Sequence, residues 1–365
     1  MASDTRAETV GSLLRPDALR AAWRAHRAGD IDASGLPAAE DAAVLDAIAL
    51  QRAAGLDVIT DGEMRRRSWA PTGDAFAGFS MLAGGAGWRW QGNERAAVFD
   101  EMPYPFVTEP VRLEHDLARE EFAFLHAHAG MRTKFCLPAP SYHRTFWSPE
   151  HSRAAYPTVE GFLETMRDQI RALVSEAMWI GCDYVQLDAP NYGFVCDPAF
   201  VSTMAARGRD LAIDLAHDVE LDNSVFDGLT GVTRALHICR GNAAGNWAAS
   251  GGYDAIAPEI FRRLRLDRLL LEYDTPRSGD FGALRHVPAG VTVVLGLLTT
   301  KSGVLERADA VEARVREAAS ILPLEQLALS PQCGFASVAS GNPVTPAEQT
   351  AKLRLVDDVA RRLWR

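Results

Sequence analysis

Four side chains of metal-ligand type stand in the last third of the chain: His237, Cys239, Glu272 and Cys333. They fall in LHICRGN (236–242), LLLEYD (269–274) and SPQCGF (330–335), each an apolar run that abruptly turns polar. Read as consecutive β-strands, these runs set His237 and Cys239 on one strand face, because side chains alternate with period two, so the pair can chelate a single ion. Glu272 and Cys333 then arrive from other strand ends. Imidazole, carboxylate and thiolate all belong to the tetrahedral repertoire of zinc. A structural zinc site takes close-spaced cysteine pairs in short loops, a pattern missing here, so a catalytic Zn²⁺ is expected. Three anionic ligands leave a dication with net charge near minus one, a weak Lewis acid for water. A thiol differs: free, it has a pKa of about 8.5, and only the thiolate attacks. Coordination removes that proton outright. The chemistry expected is therefore S-alkylation, with a small-molecule thiol as acceptor and an alkyl donor as its partner.

Such a site needs elements that aim several strand ends at one point. Eight strand candidates recur along the chain, at residues 8–12, 56–61, 132–138, 184–188, 233–239, 268–273, 291–298 and 327–330. Amphipathic helical stretches separate them, for example over 38–54, 159–180, 203–219, 304–321 and 346–364. Alternating strands and helices predict an α/β fold with a parallel sheet, and eight strands close a (β/α)₈ TIM barrel. The chemistry of such a barrel lies at the carboxyl ends of its strands. There the sequence places Ser12, Glu63, Ser141 and His143, Asp188 and Asn191, His237 and Cys239, Glu272 and Asp274, Lys301 and Cys333. Between residues 68 and 110 the pattern fails, and Gly, Trp and Pro dominate. That segment reads as an insertion after strand two, a loop or short hairpin over the barrel mouth. No linker or repeat divides residues 1–365, which read as a single domain.

Composition removes several function classes. A formal charge of −10 and the absence of any basic block beyond Arg65-Arg66-Arg67 exclude a nucleic-acid surface. The longest aliphatic stretch, 291–298, is interrupted by Thr292 and Gly296 and is far too short to span a membrane. The amino terminus has no secretory pattern, and the five cysteines lack disulfide spacing, so a reduced, cytoplasmic protein is expected. A homo-oligomer is the base-rate expectation for a symmetric soluble enzyme. The basic residues are almost all arginine; Lys134, Lys301 and Lys352 are the lysines, which draws attention to Lys301 at a strand end.

The motifs TVGSLLRP (9–16), ITDGEMRR (59–66), YVQLDAPNYG (184–193), HICRGN, LEYDTPRSGDF and SPQCGF together resemble the cobalamin-independent methionine synthases, specifically their catalytic carboxy-terminal barrel and its short, stand-alone members. The resemblance implies that His237, Cys239, Glu272 and Cys333 hold zinc. It implies that the zinc activates the thiol of homocysteine, which takes a methyl group from a folate to become methionine. It further implies that Glu63 and Asp188 hold the amino group of homocysteine and that the Gly11-Ser12 turn contacts its carboxylate, with Asn191 beside them at the fourth strand end. Two departures concern the donor. The family's Asp-Glu-Pro is Asp188-Ala189-Pro190 here, and where the family has a proton-donating histidine after the seventh strand this chain has Leu298-Thr299-Thr300-Lys301. Releasing a methyl group from a folate amine requires protonation of the leaving nitrogen, so His143 and Lys301 stand as candidate catalytic acids. Related expectations are alkyl transfer to another thiol such as coenzyme M, and a metal-free decarboxylase of the same barrel superfamily, which would leave the four ligands without a role.

Overall fold

The computed structural model describes residues 5–31, 35–72, 74–84 and 88–365. After two helices, Asp17–Ala28 and Gly35–Ala53, comes an antiparallel hairpin, β1 (Phe76–Leu82) against β2 (Tyr104–Leu113), with its register shifting between Ala77 and Phe79. At that bulge Gly78 has φ 105°, and a Cβ there would lie 2.8 Å from the Glu109 carbonyl oxygen. Six parallel strands follow in sequential order: β3 (Phe135–Pro138), β4 (Tyr184–Asp188), β5 (Thr233–Ile238), β6 (Arg268–Glu272), β7 (Thr292–Leu298) and β8 (Leu327–Pro331).

Two further segments complete the ring. Residues 7–8 bridge in parallel to Leu329 and Val58, and Ile59 bridges to Thr133. The ladder across them runs through Leu329 N–H to Arg6 O (2.8 Å), Asp57 N–H to Ala7 O (2.9 Å) and Lys134 N–H to Ile59 O (2.9 Å). The fold is a closed (β/α)₈ barrel. The first two predicted strands are present only as these short bridges: their next residues turn at once into Gly11-Ser12 and Gly62-Glu63, where backbone hydrogen bonds go to the loops instead.

Helices cover the outside. The longest, Val159–Ile180, starts at Thr158, whose side chain accepts from Gly161 N–H, and ends at Gly181 with φ 125°. The last, Pro346–Trp364, opens with a capping box between Thr345 and Glu348. The predicted helix over 203–219 is two helices, Pro198–Ala206 and Leu211–Ser224, because Gly208 adopts φ 76° and Asp210 caps a fresh start. Among the described residues no helix is long and apolar enough to cross a membrane.

The barrel interior is layered by strand alternation. At the amino-terminal end Glu8, fully buried, bonds Lys134 Nζ (2.8 Å), the Arg268 guanidinium (2.6 Å) and the Tyr184 hydroxyl (2.8 Å). Above it Val10, Val58, Ala235, Leu270, Val294 and Ala328 form an apolar plug with the Tyr184 ring. Two residues beyond Val10, Ala235 and Leu270 the inward positions become Ser12, His237 and Glu272, and Asp188 stands four beyond Tyr184, so the same period that builds the plug delivers the polar groups to the upper end.

Candidate metal and substrate site

His237 lies on β5 opposite Asp188 of β4, and Cys239 follows just past the strand end. Cys333 sits two residues beyond β8. Ligand atoms of His237, Cys239 and Cys333 all lie within 4.8 Å of one another, and all three residues are buried. Both ring nitrogens of His237 lack a hydrogen-bond partner although the residue is only 2% exposed. Buried imidazoles are normally satisfied, so two orphaned nitrogens beside two thiols mark a group that the cluster is built to receive. The donor set fits a zinc ion.

The thiols polarise each other. Cys239, with the charge of the His237 ring adding to it, draws Cys333 well below the ordinary thiol range despite burial. The same contact, then burial, pushes Cys239 well above it.

Glu272 is near this cluster but is not brought into it. Its carboxylate accepts from Arg240 N–H (2.7 Å), Arg277 (2.5 Å) and Lys301 Nζ (3.3 Å). Burial acts to raise its pKa, but Lys301, Arg277 and Arg240 outweigh it and hold the group ionised far below the usual range. Tyr253 fixes the two strand ends to each other, donating to Ile238 O (2.7 Å) and accepting from Glu272 N–H (2.9 Å). Lys301 is thus an ion-pair partner of Glu272 and, at 4.0 Å, of Asp274, while Glu306 pairs with Lys352 at 2.8 Å.

A cavity of about 260 Å³ opens above the cluster, lined by His237, Cys239, Cys333, Ser12, Glu63 and Asp188 among others. Glu63 follows Gly62 in the left-handed region, with φ 56° after φ 69°, and its N–H is held by Asp61 Oδ1 at 2.9 Å. A non-glycine residue rarely adopts this conformation, and here it turns the carboxylate inward. Gly11 makes room for it, since a Cβ there would lie 2.8 Å from Glu63 Oε1. Glu63 Oε2 has no hydrogen-bond partner, and the nearest cation, Arg15, stands at 3.9 Å. Burial, helped by Asp188 and Asp61 and opposed by Arg66 and Arg15, pushes the Glu63 pKa up to about 8. Burial likewise raises Asp188 to about 6, against the pull of His237 and of Gln186, which donates to it at 2.7 Å. Two carboxylates reluctant to ionise alone, facing one cavity, make a receptor for a cation.

Two predicted residues point elsewhere. The short helix Pro190–Phe194 carries Asn191 away from the cavity, and its amide donates to Ser141 Oγ at 3.0 Å. His143 sits in a turn of helix packed against Phe76, Tyr142 and Phe146, with Nδ1 3.1 Å from Ala139 O. Burial lowers its pKa to about 4, so it is neutral at physiological pH, and it does not line the cavity.

Sequence reasoning missed the walls. Trp69, Trp88, Trp90, Tyr104, Tyr142 and Phe194 line the cavity. The connection between β1 and β2 is pinned over the mouth by reciprocal bonds between Gln91 and Trp247 (2.8 and 2.9 Å). The available signal was the density of tryptophan in an otherwise glycine-rich, polar tract.

The cobalamin-independent synthase catalytic domain matches residues 181–361. The uncharacterized Bacillus subtilis protein YxjH is 35% identical over 372 residues, covering 99% of this chain and 95% of that protein. The chain belongs to the cobalamin-independent methionine synthase family. A solved structure from Listeria monocytogenes, described as a candidate vitamin-B12-independent methionine synthase, superposes with a TM-score of 0.73 at 26% identity, covering 100% of this chain and 99% of that one. The 2-hydroxypropyl-CoM lyase of Xanthobacter autotrophicus is 24% identical over 317 residues, 78% of this chain and 76% of the lyase. The family's catalytic domain is that of methionine-synthase-like methyltransferases acting on small molecules.

Proposed function

We propose that this protein is a zinc-dependent S-methyltransferase that methylates the thiol of homocysteine to give methionine. The observation that carries the reading is the shared cavity: the His237, Cys239 and Cys333 ligand atoms lie on the wall that faces Glu63 and Asp188. A bound zinc ion supplies one thing, an acceptor thiol held deprotonated at neutral pH.

The chain's own residues do the rest. His237, Cys239 and Cys333 would hold the ion, and Glu272, outside the cluster as it stands, would have to swing in to be the fourth ligand. Arg277, Lys301 and Arg240 around Glu272 offset the surplus negative charge of that ligand set. Glu63 and Asp188 bind the acceptor's ammonium, which fixes the distance between its sulfur and the metal cluster. The Gly11-Ser12 turn meets the carboxylate; Ser12 is held there by its carbonyl, which accepts from Phe335 N–H at 2.8 Å. The aromatic walls exclude water from the sulfur, which matters because hydration blunts an anionic nucleophile. We also take residues 1–365 as one cytoplasmic domain whose 68–110 segment covers the barrel mouth, a reading supported by the side chains that this segment contributes to the cavity.

The test is direct. Protein supplied with zinc should retain about one equivalent per chain and convert homocysteine to methionine, identified by mass, with a suitable donor. Protein that binds no zinc, or whose His237→Ala variant binds it equally well, would refute the assignment. Kinship with the lyase supports a second reading, alkyl transfer to a thiol without an ammonium, such as coenzyme M. Glu63→Gln and Asp188→Asn separate the two: acceptor affinity falls at least tenfold for homocysteine and stays level for an acceptor lacking the amine.

A further inference from the structure

The walls of the cavity bear on the donor. Trp69 and Tyr142 meet at 4.6 Å between centroids and Trp88 and Phe194 at 4.5 Å, both pairs tilted, and Trp88 meets Tyr104 edge-on at 6.1 Å. Among the described residues that line the cavity there is no lysine or arginine, while two carboxylates face into it. The cations nearby are engaged elsewhere. Arg15 donates to the Leu13, Ala336 and Arg66 carbonyls, Arg66 pairs with Glu121 at 2.6 Å, and Arg277 and Lys301 hold Glu272. Arg89, between two cavity tryptophans, faces an outer groove. An anionic donor, such as a polyglutamylated folate, would find no counter-charge on these walls, and the two carboxylates are taken by the acceptor's ammonium. A cation would find π faces, the setting in which aromatic rings bind onium groups.

We propose that the alkyl donor is a methyl onium, with its transferable methyl on a sulfonium sulfur or a quaternary nitrogen, seated against the Trp69, Trp88, Trp90 and Tyr104 walls. This rests on the reading that the site alkylates a thiol, and it accounts for the missing acid. The acceptor thiol gives its proton to solvent on binding. The sulfur lone pair then forms the new S–CH₃ bond while the bond from methyl to the positive heteroatom breaks, its electron pair staying with that heteroatom. The donor leaves as a neutral thioether or amine, so no group has to protonate it. His143, neutral and turned away, and Lys301, tied to Glu272, are then not needed as acids.

Binding can be tested without metal, acceptor or turnover. Choline and its uncharged isostere 3,3-dimethyl-1-butanol differ only in the positive charge. Titrated against the full-length protein with tryptophan fluorescence as readout, choline should bind about tenfold more tightly or better. Trp88→Leu should abolish most of that preference and Trp88→Phe should keep it, with thermal melts confirming that both variants fold. Equal affinity for the two probes would overturn the proposal. A second arm supplies zinc-loaded protein and homocysteine with S-methylmethionine, glycine betaine or methyltetrahydrofolate. Methionine from the sulfonium or the betaine supports the proposal and identifies which onium serves. Methionine from the folate alone overturns it and leaves thiol methylation standing. Charge preference without turnover from any donor supports the cation-binding walls while overturning the thiol-alkylation reading.

Discussion

Replacing Glu63 by glutamine should stabilise the protein while damaging its function, and the size of the effect follows from the burial of that carboxyl group. In the unfolded chain Glu63 titrates near 4.5; in the fold, burial raises it to about 8. Between those values the unfolded state has released the proton and the folded state still holds it, so folding stability falls as pH rises through the window and levels off above about 8. With those two values, linkage gives a penalty of about 1 kcal/mol at pH 5 and about 4 kcal/mol at pH 8. Glutamine keeps the shape and carries no such penalty. For a chain of this length, 1 kcal/mol corresponds to roughly 1.3 °C in Tm, so Glu63→Gln should melt about 5 °C above wild type at pH 8 and within about 1 °C of it at pH 5. The assay is thermal unfolding across that range, on metal-free protein without acceptor. Adding an amino-acid acceptor should then raise the wild-type Tm at pH 8 and leave the variant unmoved, because the ammonium relieves a carboxylate that the variant lacks. A difference independent of pH would refute the reasoning, as would a variant that melts below wild type at pH 8.

Other consequences are equally accessible. Cys333→Ser should lower zinc content from about one per chain to below a tenth, measured by atomic absorption after dialysis, because a hydroxyl does not replace a thiolate ligand. Gly193→Ala would place a Cβ 1.9 Å from the Cys239 carbonyl oxygen. That backbone cannot yield without moving the ligand, so a loss of about 1–3 kcal/mol and a fall in zinc affinity of at least tenfold are expected together; titration with a chromogenic chelator reads the second. Glu8→Gln removes the anion between Lys134 and Arg268 and should cost about 3–5 kcal/mol at pH 7 by denaturant melts. Glu8 is held at about 2, its cations outweighing burial, so its stabilisation is complete above pH 4.5 and lost as pH falls towards 2. The variant should therefore show a flatter acid limb than wild type.

Much of this was legible because barrel geometry turns sequence spacing into position. The pairs Val10 and Ser12, Ala235 and His237, and Leu270 and Glu272 each step from the plug to the mouth by two residues, which alternation alone predicts. What escaped depended on contacts between distant segments. Asn191 sits three residues beyond Asp188 like any strand-end polar group, yet Pro190 starts a helical turn that rotates it onto Ser141. His143 looked like an acid from its place after β3, but its surroundings are the rings of Phe76 and Phe146, one of them from the inserted hairpin. Glu272 was read as a ligand alone, and the cations that hold it come from Arg277, five residues on, and Lys301, beyond β7. No local pattern encodes those partnerships.

The two ends of the barrel treat charge in opposite ways. At the amino-terminal end the charged groups inside the barrel are paired: Glu8 accepts from Lys134, Arg268 and Tyr184, and Lys134 also meets Thr9 O and Gln186. At the other end, beyond the apolar plug, Glu63 Oε2, both nitrogens of His237 and Asn242 Oδ1 are buried without partners, and Glu63 holds a left-handed backbone. Unpaired buried polar atoms cost about 1–3 kcal/mol each, so evolution toward stability alone would have removed them. Their gathering around one cavity is what a site looks like when its missing partners are a cationic metal and a cationic amine. Binding should therefore stabilise the upper end far more than the lower, and hydrogen exchange can see the difference: with zinc and acceptor added, protection should rise in the loops around Gly62, Arg240 and Gly334 and stay level in residues 6–8 and at the start of β6. Uniform protection across the barrel would mean that the upper end is not held open by its unmet charges.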